Sequence, residues 1–437
     1  MTTRTFSMVT LGCKVNQYES DAIAEDLVRT GLERINGKTG AGVVVINTCT
    51  VTKRAGMQSR QSVRRAVKDN PDAVVAVTGC HAQHAPEEIA AIAGVDIVAG
   101  SSHKSGLCER LSPGCRQGAP LVLHEPMYGV KAFHAPGRVV RGARARPFLK
   151  VQDGCQAFCT YCIVPHTRGP SRSMEDPDVL RHLAGLARAG YAEAVLTGIH
   201  LGMYGRERGD DLVSLLRKID SAGNMPRVRL SSIEPNEITP ELLSVTANSG
   251  LVRPHMHVPL QSGDDDVLAR MSRPYTSDGF AGVVRAVRDA LPHAALGVDV
   301  LVGFPGETEK AFDNTLSLVE SLPVNYLHVF PYSPREGTPA ARFPDQVVQA
   351  HVTRRCAAMR QLGQRRREEF HQSMLGRTMP AVVERPVEGQ KGLYRATTEN
   401  YISVMVSSSR DLDRGTERIV RIREIRADRT VFAELVD

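Results

Sequence analysis

Val151-Gln-Asp-Gly-Cys155-Gln-Ala-Phe-Cys159-Thr-Tyr-Cys162-Ile-Val-Pro-His-Thr-Arg168 is the stretch on which the chain turns. Its cysteines follow a C-x3-C-x2-C spacing, short enough for one loop to fold its thiolates around one inorganic centre. Three thiolates hold three irons of a [4Fe–4S] cube and leave the fourth iron without a protein ligand from the loop. An open iron takes a substrate or cofactor, whereas a closed four-cysteine site favours electron transfer or structure. Zinc is the plainer alternative, because His166, four residues beyond Cys162, would complete a Cys3His tetrahedron. The flanks weigh toward the cube. Phe148, Leu149 and Val151 predict a short strand leading into the loop. Tyr161 sets an aromatic ring beside the centre, placed to pack on a nucleoside base.

The chain of 437 residues has room for two or three domains. Its hydrophobic content of 42% is ordinary for a soluble globular protein. No apolar run approaches the roughly 20 residues that span a bilayer, and Met1-Thr-Thr-Arg-Thr-Phe6 lacks the apolar core of a signal peptide. A cytoplasmic protein is expected, with no membrane partner. Nine cysteines in such a compartment point to metal or redox chemistry rather than disulfides. The net charge of +7 favours a polyanionic partner. The basic residues gather at Lys53–Lys68, at Arg138–Lys150 and at Arg354–Arg367. One such cluster reads as a solvated helix face; three together favour RNA.

Phe6–Leu11, Val43–Asn47 and Val74–Thr78 are predicted strands that end in Gly12-Cys13, Thr48-Cys49 and Gly79-Cys80. Helical patterns run between them, Asp21–Thr30 and Gln58–Lys68. The alternation predicts a parallel α/β domain over residues 1–120. Ligands gather at the C-terminal ends of such strands, so Cys13, Cys49 and Cys80 are positioned to converge on a second three-thiolate metal centre. The plain alternative is three separate buried thiols. Cys108, Cys115 and Cys356 lie in no motif and read as structural or incidental.

Residues 121–146, rich in Gly, Pro and Arg, read as a linker. From 147 to 371 about six βα units predict a partial (β/α)6 barrel. Its strand ends carry Gly198, Glu234, Gln261-Ser262 and Gly303-Phe-Pro-Gly-Glu-Thr308. Arg354–Phe370 reads as a basic helix. Residues 372–437 hold about five short β-rich runs, which predict a small β-barrel.

The cysteine loop resembles the signature of the radical S-adenosylmethionine enzymes. Thr10-Leu-Gly-Cys-Lys-Val-Asn-Gln-Tyr-Glu-Ser20, Asn47-Thr-Cys-Thr-Val51, Thr78-Gly-Cys80, His257-Val-Pro-Leu-Gln-Ser-Gly263, Met271-Ser-Arg-Pro-Tyr275 and Gly303–Thr308 resemble the methylthiotransferase family within them. The resemblance covers nearly the whole chain. It implies two [4Fe–4S] clusters: a radical cluster on Cys155, Cys159 and Cys162 whose open iron chelates S-adenosylmethionine, and an auxiliary cluster on Cys13, Cys49 and Cys80 that takes part in sulfur insertion. It places the cofactor against Tyr161, Gly198, Glu234, Gln261 and Ser262, with no residue needed as general acid or base. It makes the C-terminal barrel TRAM-like and RNA-binding. Family branches act on isopentenyladenosine in tRNA, on threonylcarbamoyladenosine in tRNA and on a ribosomal-protein aspartate. Leu11-Gly-Cys-Lys-Val-Asn-Gln17 is similar to the threonylcarbamoyladenosine branch. The implied activity is methylthiolation at C2 of that nucleoside, beside the anticodon of tRNA, with an external electron donor. A reading from a different class also stands at this point: an RNA-binding protein stabilised by structural zinc.

Overall fold

In the computed structural model, residues 4–436 are described apart from 38, 115 and 117, so Cys115 lies outside the described residues. The chain divides into two compact units. One comprises Met1–Gly142, Lys150–Met174 and Ser333–Ala341; the other comprises Ala143–Leu149, Glu175–Tyr332 and Arg342–Asp437.

The first unit is built on a six-stranded parallel sheet. Its order is Glu33–Arg34, Thr5–Thr10, Val43–Thr48, Val74–Gly79, Ile97–Ala99, Leu121–Leu123. Successive strand residues point to opposite faces, and here both faces are covered. Val43, Val45, Val74 and Ala76 pack with Ile23, Ala24 and Leu27 of the helix Lys14–Arg29. Val44, Ile46, Val75 and Val77 pack with Val63 and Ala66 of the helix Lys53–Asp69. This is why the strands are near-continuous runs of Val and Ile, each side chain worth roughly 1.5–3 kcal/mol on burial. Both helices start earlier than their apolar periodicity. Lys14–Arg29 begins directly after Cys13, and Lys53–Asp69 begins behind Thr52, whose side chain accepts from the Ala55 N–H at 3.0 Å. The sheet also runs past residue 120. Leu121–Leu123 pairs with Ile97–Ala99 inside the stretch expected to be linker, because its three apolar residues outweigh the Gly and Pro around them.

In the second unit, strands form two three-stranded sheets. One orders Arg227–Leu230, Glu193–Thr197 and Phe148–Lys150; the other orders His255–Gln261, Ala295–Val302 and Tyr326–Pro331. Helices alternate with them, including Asp176–Arg188, Leu212–Ala222, Pro240–Asn248, Ser277–Ala290, Glu309–Ser321 and Gln349–Ser373. The expected C-terminal barrel is closed, with five strands in the order Thr378–Pro386, Leu393–Thr398, Ser403–Ser407, Val431–Leu435, Glu417–Ile425. Closure leaves no open edge.

Glu193, fully buried, is a hub of this unit. It accepts from Arg229 at 2.8 Å and Arg253 at 2.9 Å, while Arg229 also donates to the carbonyl of Glu399 at 2.9 Å. Burial alone raises its carboxyl, but Arg229 and the other guanidiniums overcome this and hold it below the usual range. The basic helix spends several of its charges internally: Arg355 is buried on Glu307 at 2.7 Å, and Arg354 and Arg365 pair with Glu309 and Glu320. Free basic surface is better supplied in the first unit, where Lys53, Arg54, Arg64, Arg65 and Lys68 are exposed on one helix. Among the described residues no helix is long and apolar enough to cross a membrane.

Candidate functional site

All six candidate cluster cysteines belong to the first unit. Cys13 caps the helix Lys14–Arg29, Cys49 follows Val43–Thr48, and Cys80 opens the helix Cys80–His84. Helix N-termini favour thiolates. The turns that carry them are clamped by the surrounding motif residues. The Asn16 amide donates to the carbonyls of Leu11 at 2.8 Å and Thr48 at 2.9 Å, and the Asn47 amide donates to the carbonyl of Asn16 at 2.9 Å. Ser59 Oγ accepts from the Cys49 N–H at 3.1 Å and donates to the Cys49 carbonyl at 2.7 Å. Gly12 has φ +98°, and a Cβ there would sit 2.9 Å from Cys49 Sγ, so backbone takes the place a side chain would deny. Burial pushes the Cys49 thiol up to about 12, with the Cys80 thiolate adding to it. Crowding by protein likewise raises Cys13, although its residue keeps access to solvent.

The second cysteine loop is closed by a two-stranded hairpin. Gln152–Asp153 pairs antiparallel with Arg172–Ser173, and the Cys155 N–H donates to the Gly169 carbonyl at 2.9 Å. The Gln152 amide ties the neck, donating to the Gly154 carbonyl at 2.8 Å and to Ser171 Oγ at 2.9 Å. Cys159 is buried; Cys155, Cys162 and Tyr161 are half-buried. His166 Nδ1 lies 2.5 Å from Tyr128 Oη.

Three thiolates around one zinc, at about 2.3 Å each, would sit close to 3.8 Å apart. Among the described residues, the one group of three or more metal-ligating atoms within 4.8 Å of one another is His257, Asp299 and His328. Neither cysteine set, with or without His166, is drawn into zinc spacing. A cube asks for wider separation, since each sulfur binds its own iron. Each set offers three thiols, the donor count of a cube whose fourth iron has no cysteine.

Arg168 joins the two sets. It is fully buried at the end of the loop's short helix, and its Nε lies 3.3 Å from Cys80 Sγ. Its other nitrogens donate to Glu19 at 2.5 and 3.1 Å, to Asn16 Oδ1, and to Asp153 at 3.5 Å. Lys104 and Lys150 pair with Glu19, and Lys150 and Arg172 with Asp153. Four cationic side chains thus face two carboxylates beside the Cys80 thiol, an excess of positive charge next to that sulfur. Burial favours a protonated Glu19, but Arg168, then Lys104 and Lys150, hold its carboxyl well below the usual range. Sequence reading left Arg168, Glu19 and Asp153 without a role; basic and acidic residues inside both cysteine motifs were the available signal.

Ser333–Ala341 is a further tie the sequence did not disclose. Arg335 Nη2 donates to Thr50 Oγ1 at 2.6 Å, beside Cys49, and the Ala340 N–H donates to the Thr160 carbonyl at 2.9 Å, beside Cys159.

In the second unit the expected cofactor contacts sit at strand ends. Gly198 follows Glu193–Thr197. Gln261 closes its strand at φ +65°, a left-handed conformation that non-glycine residues adopt rarely and that clusters at ligand sites. Ser262 is buried, 3.3 Å from Thr315 Oγ1, and its Oγ accepts from the Asp264 N–H at 3.2 Å. The Glu234 carboxylate accepts from Arg273, and burial raises it despite that cation. Tyr275 Oη reaches the carbonyls of Pro259 at 2.9 Å and Leu260 at 3.1 Å, so the Met271–Tyr275 motif steadies both Glu234 and the strand before Gln261. Cys108 is buried in the first unit's core, where burial pushes its thiol up to about 12, and Cys356 is buried in the helix Gln349–Ser373.

Residues 5–100 match the uncharacterized protein family UPF0004, and residues 149–319 match the Radical SAM superfamily. The threonylcarbamoyladenosine tRNA methylthiotransferase MtaB of Bacillus subtilis is 38% identical over 97% of this chain and 94% of its own length. The tRNA-2-methylthio-N(6)-dimethylallyladenosine synthase of Moorella thermoacetica is 30% identical over 99% of each. Among solved structures, the radical S-adenosylmethionine methyltransferase TsrM of Kitasatospora setae aligns over 77% of each chain with a TM-score of 0.57 at 18% identity, a likeness of fold. Identity of this extent along nearly the full length of both chains places the protein in the radical S-adenosylmethionine methylthiotransferase family, in its threonylcarbamoyladenosine tRNA branch.

Proposed function

We propose that this protein methylthiolates C2 of N6-threonylcarbamoyladenosine beside the anticodon of tRNA, in the cytoplasm, with electrons from an external donor. The observation that carries the reading is the presence of two three-cysteine sets in one compact unit, linked through Arg168 to Cys80. Cys155, Cys159 and Cys162 would hold the radical cluster, and Cys13, Cys49 and Cys80 the auxiliary cluster. Tyr161, Gly198, Glu234, Gln261 and Ser262 would bind S-adenosylmethionine. When bound, one S-adenosylmethionine would supply the radical that takes the C2 hydrogen and a second the methyl group, while the clusters would supply the electron and carry the sulfur.

The chain's own residues hold and shield. The hairpin at Gln152–Ser173 fixes the loop cysteines, Asn16 and Asn47 fix the strand-end turns, and Arg168 adds positive charge beside Cys80. The exposed basic helix Lys53–Asp69 offers a surface for the phosphate backbone, while an unstacked anticodon-loop base suits how proteins read single-stranded RNA. Anaerobic reconstitution tests this: with S-adenosylmethionine, a reductant and tRNA bearing threonylcarbamoyladenosine, the methylthio nucleoside should form. Consumption of S-adenosylmethionine with no methylthio product on that tRNA would overturn the substrate.

A further inference from the structure

In the second unit, His257, Asp299 and His328 stand on three neighbouring parallel strands, His255–Gln261, Ala295–Val302 and Tyr326–Pro331. Asp299 and His328 are direct register partners, and His257 pairs with Gly297, two residues before Asp299 on the same strand face. On the last strand, Leu327 packs against Gly363 of the helix Gln349–Ser373, so His328 points away from that helix. The triad therefore gathers on one sheet face rather than in the helix-packed core.

His257 Nε2 lies 3.2 Å from Asp299 Oδ1, and His328 Nδ1 lies 3.3 Å from the same oxygen. Ligand atoms about 2.0–2.1 Å from a tetrahedral ion stand roughly 3.4 Å apart, so these separations match edges of a coordination polyhedron. For a hydrogen-bonded pair they lie at the long end of the range, so alignment and burial decide between the two. His257 Nε2 and Asp299 Oδ1 are both buried, and they stand 3.2 Å apart without a well-aligned hydrogen bond between them. Burying two polar atoms that face each other without bonding is costly, and a cation between them would satisfy both. The far side of the His257 ring is already fixed: Nδ1 lies 2.6 Å from Ser232 Oγ. A hydrogen bond from Nδ1–H to that hydroxyl leaves the Nε2 lone pair aimed at Asp299, the outer contact that metal-ligating histidines use to fix tautomer and orientation. Tyr326 stacks on the His257 ring at 5.9 Å and shields it, whereas the His328 side chain is 48% exposed and leaves one side of the group open to water.

We infer that His257, Asp299 and His328 form a mononuclear site for a divalent first-row transition ion, with Ser232 positioning His257 and a fourth position open to solvent. Two imidazoles and one carboxylate are a ligand set for zinc or ferrous iron, not for calcium or magnesium. The site is separate from the six cysteines in sequence and composition, and it stands whether or not the proposed function does.

Zinc is the probe. Holoenzyme with both cysteine sets loaded with iron is desalted, titrated with Zn2+ and analysed for zinc, iron and sulfide. Wild type should retain one zinc per chain beyond its iron, and Asp299→Asn and His328→Ala none, at unchanged iron and sulfide. Ser232→Ala should retain the ion with affinity about 10–100-fold weaker. His328 is exposed enough that its variant tests the site even if Asp299→Asn folds poorly. Equal zinc in wild type and His328→Ala, or no zinc in wild type, would overturn the assignment in favour of an ordinary histidine–aspartate pair.

Discussion

Arg168 Nε lies 3.3 Å from Cys80 Sγ, so an arginine carried by one cysteine loop donates to a thiol of the other cysteine set. Arg168 is wholly buried and draws its own compensation from Glu19, Asn16 and Asp153. The motif residues around the two cysteine sets are thereby one network, although Asn16 and Arg168 are 152 positions apart in sequence.

A cation and N–H donor beside a sulfur ligand favour the reduced, more negative form of a cluster. Arg168→Lys keeps charge but loses the fork of donors. It should lower the midpoint potential of the cluster proposed at Cys13, Cys49 and Cys80 by about 60 mV if it weakens the reduced state tenfold. EPR-monitored redox titration of wild type and variant checks this. Unchanged potentials would leave Arg168 with a purely structural role.

Glu19 supplies a pH dependence. Its folded carboxyl is held well below its unfolded value of about 4.3, so the native state binds fewer protons in that window. Its stabilising contribution is full above about pH 4.3 and is lost as pH falls through the folded value. Glu19→Gln should be less stable at neutral pH by about 3–5 kcal/mol, because it removes the carboxylate that Arg168, Lys104 and Lys150 share and leaves Arg168 and Lys150 chiefly Asp153. It should also lose stability less steeply in acid. Urea unfolding across that pH range measures both; parallel curves for the two proteins would contradict the network.

The two cysteine sets should separate functionally. Cys159→Ala should abolish release of 5′-deoxyadenosine from S-adenosylmethionine. Cys49→Ala should spare it and stop methylthio transfer. Chromatography of the small-molecule products and of digested tRNA distinguishes them. Wild-type 5′-deoxyadenosine from the first variant, or normal product from the second, would reverse the roles.

Arg273 is the cation against Glu234, whose carboxyl burial already raises. Arg273→Met should leave Glu234 more readily protonated and weaken S-adenosylmethionine binding about tenfold, a loss of about 1.4 kcal/mol. Equilibrium binding at constant iron content tests this, and unchanged affinity would remove Glu234 from the cofactor's contacts.

Much of this was legible because it depends on local pattern. Runs such as Val43–Ile46 and Val74–Val77 mark strands covered on both faces, and a cysteine directly after each marks the ligand edge of the sheet. The five C-terminal strands were legible from their turns. What escaped depends on distant pairing. Leu121–Leu123 is too short to stand out until Ile97–Ala99 lies beside it. Arg355 reads as one more charge on a basic helix until Glu307 is found buried against it at 2.7 Å. Arg335 lies far along the chain from Thr50, yet donates to it at 2.6 Å. Side-chain periodicity carries no trace of such contacts.

The most direct test of the central claim is nucleoside mass spectrometry of tRNA from cells with and without this gene. Loss of the methylthio derivative of threonylcarbamoyladenosine, with the unmethylthiolated nucleoside accumulating in its place, is the predicted result. Loss of methylthio-isopentenyladenosine instead would contradict the substrate, and an unchanged nucleoside profile would contradict the tRNA-modifying role itself.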